Sequence, residues 1–493
     1  MAPLQPAGEP ETSSERLLPP FPQQSPDASL LSCLMAFSPH GLLPLHLPAH
    51  GRGRGLAPGL SRLLRRAPAC WDLPELPAIG GPLEAEGAVA ESQAAVAALL
   101  GARRCWFGVN GASGLLQAAL LALANPGDRV LLPRNLHRSL LHGCLLGQLR
   151  PLLFDLPFDS ASGLWLPPTP PQLAERLDQA LSSGPLAVVV LVSPTYQGLV
   201  GDLPALIDVV HRRGLPVLLD EAHGAHLGLD ERLPPPGLAC GADLVVQSLQ
   251  KGAGGLAQSA VLLQGNGASP ISATRIERAL LWLQTSSPSA LLLASSEAAL
   301  RHLHGRAGRR QLGRALTLAL AVRRNLQAAG LPLLANQDPL RLVLHTAALG
   351  INGLEADHWL LQRGVIAELP EPGALTFCLG MRPPRDLAWR LPRMLLKLRH
   401  ALGGDPWSPF SRPPLPALAE PETPLGQAWR AATEPLPLAA VAGRIAAEPL
   451  CPYPPGIPLL IPGERIDAAR LDWLLEQQRL WPGQIADTVM VVA

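Results

Sequence analysis

The chain carries almost no net charge: 40 basic residues against 39 acidic ones leave +1 over 493 residues. That balance supplies no field to steer nucleic acid or an anionic membrane, so neither is expected as a partner. A cysteine framework is lacking too. Cys33, Cys70, Cys105, Cys144, Cys240, Cys378 and Cys451 are scattered, odd in number and form no Cys-x-x-Cys pair. The spacing argues against a metal site or a disulfide scaffold and predicts a reducing, cytoplasmic setting. No run of about 18 or more uncharged apolar residues reads as a membrane span. Residues 1–26 are rich in Pro, Ser, Gln and Glu and lack the basic-then-apolar order of a secretory leader. We expect a mobile tail over 1–29. No internal repeat of fixed period is found.

What the chain does have is length, apolar content and proline. A chain of 493 residues predicts two or three domains, and 47% hydrophobic content is enough for a large core. The 55 prolines gather at element boundaries and in 406–424, a stretch that reads as linker. Between about 106 and 246 short apolar runs alternate with helical text. Strands are predicted at 106–109, 129–132, 151–156, 186–192, 215–219 and 243–246, and helices at 114–124 and 204–213, the latter stopped by Gly214. The run 186–192, with valines at 188, 189, 190 and 192, suits a strand covered on both faces. Such alternation predicts an α/β domain with a mostly parallel sheet and ligands at the strands' carboxyl ends. From 299 the text turns helical to 329. Strands at 341–345 and 374–378 and a helix at 386–402 then suggest a smaller α/β domain. The expected division is 30–298 for the large domain, 299–405 for the small one, 406–438 for a Pro-rich linker and 439–493 for a compact last unit.

Chemistry gathers at the predicted strand ends. The strand 215–219 delivers Asp220, in the text Asp220-Glu221-Ala222-His223-Gly224-Ala225-His226, and the next delivers Ser248, Gln250 and Lys251. A lysine amine and a carboxylate at one sheet edge are what pyridoxal phosphate needs. The amine forms an imine with the aldehyde, and the carboxylate keeps a proton on the pyridine nitrogen. Taken alone, the pair reads more readily as a buried ion pair or a solvated loop lysine. A third feature shifts the balance: Asn110-Gly111-Ala112-Ser113-Gly114 opens a helix directly after a strand. A Gly-rich helix start presents free N–H groups to a phosphate. Ser113 adds a hydroxyl, and Ser248 is a second candidate donor. A fourth is His137, which follows the strand 129–132 and could stack on a pyridine ring; a structural role suits it equally.

These residues resemble the Orn/Lys/Arg decarboxylases, fold-type I pyridoxal phosphate enzymes built like aspartate aminotransferase. Matching text runs through Val109 to Gly114, Arg134-Asn135-Leu136-His137-Arg138-Ser139, Ser193-Pro194-Thr195-Tyr196-Gln197-Gly198, Asp220 to His226 and Ser248-Leu249-Gln250-Lys251. The most specific part is late: Gly443-Arg444-Ile445-Ala446-Ala447-Glu448, Pro452-Tyr453-Pro454-Pro455-Gly456-Ile457-Pro458 and Pro462-Gly463-Glu464. The resemblance covers about residues 30 to 490. It implies an α/β large domain with a mostly parallel sheet of the seven-stranded type, a smaller α/β domain and a C-terminal α+β domain. It also implies a homodimer or higher homo-oligomer and a place in polyamine biosynthesis. By the same resemblance Lys251 would carry the cofactor, Asp220 would pair with the pyridine nitrogen and His137 would stack on the ring. Ala112, Ser113, Gly114 and Ser248 would hold the phosphate, with Gln250 beside them. His223 would lie near the ring or the substrate carboxylate. Glu464 and the Pro454-Pro455-Gly456 turn would line a site, in this subunit or its neighbour, and receive the distal cation of a basic amino acid.

Two departures stand out. The family pattern has His just before the lysine, where this chain has Gln250, which cannot carry charge or shuttle a proton as imidazole does. A Pro-Gly-His-Lys-x-Gly type of text reads here Pro48-Ala49-His50-Gly51-Arg52-Gly53. The implied reaction is decarboxylation of arginine, lysine or ornithine, with the α-carboxylate held perpendicular to the ring plane. Transamination on the same fold and a cofactor-binding homologue without turnover remain open, as does the choice among the three amino acids.

Overall fold

The computed structural model describes residues 29–36, 41–67, 69–267, 271–452, 457–481 and 485–493. Its centre is an eight-stranded mixed sheet. In chain order the strands are β1 (Arg104–Gly108), β2 (Arg129–Pro133), β3 (Arg150–Phe154), β4 (Val188–Val192), β5 (Val217–Asp220), β6 (Leu244–Ser248) and β7 (Ala260–Gln264). The eighth comes from far downstream. Across the sheet the order runs from that late strand through β3, β2, β4, β5, β6 and β7 to β1. β3, β2, β4, β5 and β6 are mutually parallel, and β7 runs antiparallel between β6 and β1.

The near-continuous apolar text of these strands has a direct structural cause. Val188 and Val190 enter one core with Leu132, Leu218 and Val246, whereas Val189 and Leu191 enter another with Leu131, Leu219 and Val245. Successive side chains point to opposite faces, and helices cover both, so neither face can be polar. The helix Gly111–Leu123 (α1) follows β1, and Arg138–Gly147 (α2) follows β2.

The second unit is a three-stranded antiparallel sheet of β8 (Arg341–His345), β9 (Leu369–Glu371) and β10 (Ala374–Cys378), ordered β8-β10-β9. The long helix Arg306–Ala328 packs against Leu387–Leu402 beside it. A third unit has its own core, including Leu438, Val441, Leu460, Leu474 and Val491. It also holds the helix Ala468–Leu480 and an antiparallel pair of Thr433–Pro437 and Thr488–Val492.

The stretch expected to be a linker is packed instead. Leu418–Ala419 (β11) is the eighth strand, antiparallel to β3, and Leu425–Arg430 forms a short helix. Trp407 donates its backbone N–H to Ala347 and Phe410 to Ser160, and the rings of Trp407 and Phe410 sit with Trp481. Proline removes donors, but an edge strand pairs on one side only, so a Pro-rich segment can still close a sheet. Among the described residues no helix is long and apolar enough to cross a membrane.

Candidate active site

The carboxyl ends of β1, β2, β4, β5 and β6 point to one edge of the sheet. The loops they release line a cavity of about 850 Å³. β5 delivers Asp220 as its last residue, and β6 delivers Ser248, after which the short helix Leu249–Gly252 carries Gln250 and Lys251. β2 leads to His137 and β4 to Tyr196 and Gln197. Ala112, Ser113, His137, Asp220, His223, Ser248, Gln250 and Lys251 all line this cavity. A larger groove of about 1070 Å³ beside Arg150 and Leu425 lacks that convergence. Its acids Glu420 and Glu422 are committed to Arg150 and Arg465.

Lys251 is the centre of the contacts. Its Nζ lies 3.1 Å from His223 Nε2 and 5.2 Å from the centroid of the Tyr196 ring. Tyr196 and His223 pack with centroids 4.3 Å apart. Burial lowers the pKa of the Lys251 amine, while the Asp220 and Glu368 carboxylates pull it back up. Burial, with Lys251 and Arg341 nearby, holds His223 well below its ordinary value, so its ring is neutral and Nε2 accepts from the amine. Asp220 is 4% exposed. Burial raises its pKa, and Lys251 and the Ala222 N–H, donated to Oδ1 at 3.1 Å, oppose the rise. Arg341 reaches in from β8 and donates to the Lys251 carbonyl at 3.3 Å.

His137 is the N-cap of α2, where its Nδ1 accepts from the Ser139 amide at 3.3 Å and meets the Ser139 hydroxyl at 2.8 Å. Burial and the charges of Lys251 and Arg138 push its pKa down to about 4, leaving a neutral ring on the cavity wall. At α1 the chain turns through Gly111 at φ +69°, a left-handed conformation that glycine adopts freely. No side chain caps this helix, because Asn110 donates instead to the Leu283 carbonyl at 3.0 Å. The amides of Ala112 and Ser113 therefore have no intrahelical acceptor and open on the cavity. The Ser248 hydroxyl makes no cap bond either.

Two expected residues fall elsewhere. Gly114 does not line the cavity: its amide is already an intrahelical donor, to the Asn110 carbonyl at 3.4 Å. Its role is steric, since a Cβ there would come within 2.9 Å of Asn110 Cβ. Glu464 is not a cavity residue. Its carboxylate is 3% exposed and fully engaged by Arg134, at 2.5 and 3.0 Å, by Arg470 at 3.3 Å and by the Ile461 N–H at 2.8 Å. Two guanidinium groups and an amide leave it nothing to offer a substrate. The Pro454-Pro455-Gly456 turn and Tyr453 lie outside the described residues. Conversely, sequence reading passed over Tyr196, Gln197, Arg138 and Glu371, all on the cavity wall. Tyr196 and Gln197 had the same signal as Asp220, a position just past a strand end. Glu371 had none, since it arrives from the second unit.

The Orn/Lys/Arg decarboxylase major domain matches residues 30–342, and the C-terminal domain of the same family matches residues 410–486. The chain is 31% identical to the arginine decarboxylase of Halalkalibacterium halodurans, over 91% of this chain and 93% of that protein. Its fold is similar to lysine decarboxylase A from Pseudomonas aeruginosa, with a TM-score of 0.73 at 20% identity over 86% of this chain and 74% of that one. A serine palmitoyltransferase solved with PLP shares the fold with a TM-score of 0.58 at 17% identity, over 73% of this chain and 88% of that one.

Proposed function

Because this chain belongs to the Orn/Lys/Arg decarboxylase family, we propose that its cavity holds pyridoxal phosphate on Lys251 and there removes the α-carboxylate of a basic amino acid as carbon dioxide, leaving the amine. The activity is that of an amino acid decarboxylase acting on arginine, lysine or ornithine. One observation carries the site assignment: a half-buried amine, a buried carboxylate and an uncapped helix start share one cavity. Each fits a different part of the cofactor. The Ala112 and Ser113 amides and the hydroxyls of Ser113 and Ser248 suit the phosphate. Asp220 suits a protonated ring nitrogen, which would supply the cation its buried carboxylate needs. His137 suits the ring face, and Lys251 the aldehyde.

When bound, the cofactor supplies an electron sink for the pair left at the α-carbon. The protein's part is electrostatic and positional. Asp220, fixed by the Ala222 N–H, holds a proton at the ring nitrogen. His223, neutral, orients the Lys251 amine through Nε2, and the pair can hold and pass a proton at Nζ. Gln250 sits where the family has a histidine and can donate a hydrogen bond but cannot titrate; its carbonyl accepts from Ala49 at 2.8 Å, which fastens the 48–53 segment behind it. No disulfide joins the described cysteines, which supports a reducing, cytoplasmic setting. The exposed Leu30, Leu31, Leu34 and Met35 of the helix Leu30–Ala36 support a homo-oligomer.

The test is release of labelled carbon dioxide from carboxyl-labelled arginine, lysine and ornithine, with the amine identified. Lys251→Ala should abolish both release and the visible absorbance of the bound cofactor. Since the chain's other lysine is Lys397, borohydride reduction and peptide mapping should place the cofactor on Lys251 alone. Normal turnover by Lys251→Ala would reject the scheme. Cofactor absorbance without any amine product would favour the homologue without turnover.

A further inference from the structure

The cavity wall carries two carboxylates in unlike surroundings. Among the described residues lining it, the acids are Asp220 and Glu371. Asp220 feels the Lys251 amine, which partly offsets its burial. Glu371 ends β9 in the second unit, so it approaches the cavity from a different body of the fold. It is 6% exposed, and one oxygen accepts from Gln197 Nε2 at 2.8 Å. Among the described residues no cation pairs with it. Other buried acids differ: Glu464 has two guanidinium groups, and Asp338 has His226 and Arg341. Glu221 has Gln247 and the Gly237 N–H and does not line the cavity.

A buried carboxylate with a single neutral donor is unfavourable when ionised. Burial accordingly pushes its pKa up to about 8, and only Gln197 opposes the shift. The cost disappears if a cation arrives through the cavity. Gln197 also follows Tyr196, whose ring lies beside Lys251, so a short stretch of chain links the Lys251 amine to the Glu371 carboxylate. Trp165 and Ile457 supply apolar wall, which suits the methylenes of a long side chain and a flat cation.

We propose that Glu371, held by Gln197, is the specificity-determining carboxylate that receives the distal cation, guanidinium or ammonium, of the basic amino acid substrate. The assignment rests on the decarboxylase reading for the amino acid but needs only cation binding for its test. It gives this chain an acidic partner for the substrate that Glu464, locked to Arg134, cannot be.

The experiment compares holoenzyme with the Glu371→Gln variant, which keeps shape and removes charge. Arginine is paired with its uncharged isostere citrulline, and lysine with norleucine. For the accepted charged substrate kcat/KM should fall about 100-fold, chiefly through KM, because a desolvated hydrogen-bonded charge partner has been lost. For the uncharged isostere it should change less than about threefold, and the resting cofactor absorbance should be unaltered. Equal loss for both members of a pair, or no loss, would overturn the assignment. Calorimetric binding of agmatine and cadaverine to both holoenzymes supplies a readout free of turnover. Binding to the wild type that weakens at least tenfold in the variant supports Glu371. Absent or equal binding overturns it, even if no amino acid is decarboxylated, which would count separately against the decarboxylase reading.

Discussion

Glu371 also leaves a signature in stability. Its pKa is about 8 in the folded chain and 4.5 in the ordinary state. Between those values the folded protein holds a proton that the unfolded chain has released. The protein therefore loses stability as pH rises through that window, and the loss is complete above about 8. A glutamine does not titrate. Glu371→Gln should therefore raise the melting temperature over wild type more at about pH 8.5 than at about pH 5, without added amine. A pH-independent difference would show that the carboxylate ionises freely. How readable such residues are from sequence follows from where they sit. Asp220 and Lys251 were legible because each stands at the end of an apolar run, and a parallel sheet brings such ends together. Tyr196 and Gln197 had that position too, but neither an aromatic ring nor an amide announces chemistry by type. Glu371 gave no signal, because its place on the cavity wall depends on how the second unit docks on the first.

The loop from β2 to α2 shows how an element far away can steer the site. It begins with Arg134, which is completely buried, and reaches His137 three residues later. Arg134 is held by Glu464 of the third unit and by the carbonyls of Pro458 and Leu459 at 3.4 and 3.5 Å. Removing one partner of a buried ion pair costs about 3–5 kcal/mol, because the survivor is left uncompensated. Glu464→Gln keeps part of the hydrogen bonding, so we expect a loss of about 3 kcal/mol, read as a lower urea midpoint with an unchanged slope. The variant should also bind cofactor more weakly, since the His137 loop loses its anchor. An unchanged midpoint would mean that the pair does not brace this loop. The sequence drew attention to Glu464 through its Pro-Gly-Glu text but gave it the wrong partner, because Arg134 lies 330 positions earlier and nothing local marks the two as neighbours. The expected linker failed for a related reason: proline content signals a loop, yet pairing of Leu418–Ala419 with β3 is a long-range event.

At the scale of the whole chain, the question is whether the third unit folds by itself. It has a separate core of its own, built on Leu438, Leu460, Trp473, Leu474 and Val491. A unit below ~70–80 residues rarely draws more than ~3–5 kcal/mol from one core. Two features tie it to the large unit. Ile461 is fully buried within the core formed by Leu116, Leu140 and Leu153, and the Arg134–Glu464 pair crosses the same boundary. Separating the units would expose that isoleucine and leave two charges short of partners, a penalty comparable with everything the small core supplies. We therefore expect one cooperative thermal transition, with the calorimetric and van't Hoff enthalpies in agreement and the cofactor absorbance lost in the same step. Glu464→Gln weakens only the tie, so it should move that single transition down rather than split it. An early transition in wild type, with the cofactor absorbance intact until a later one, would show that the third unit melts alone and that the Arg134–Glu464 contact does not couple it to the site.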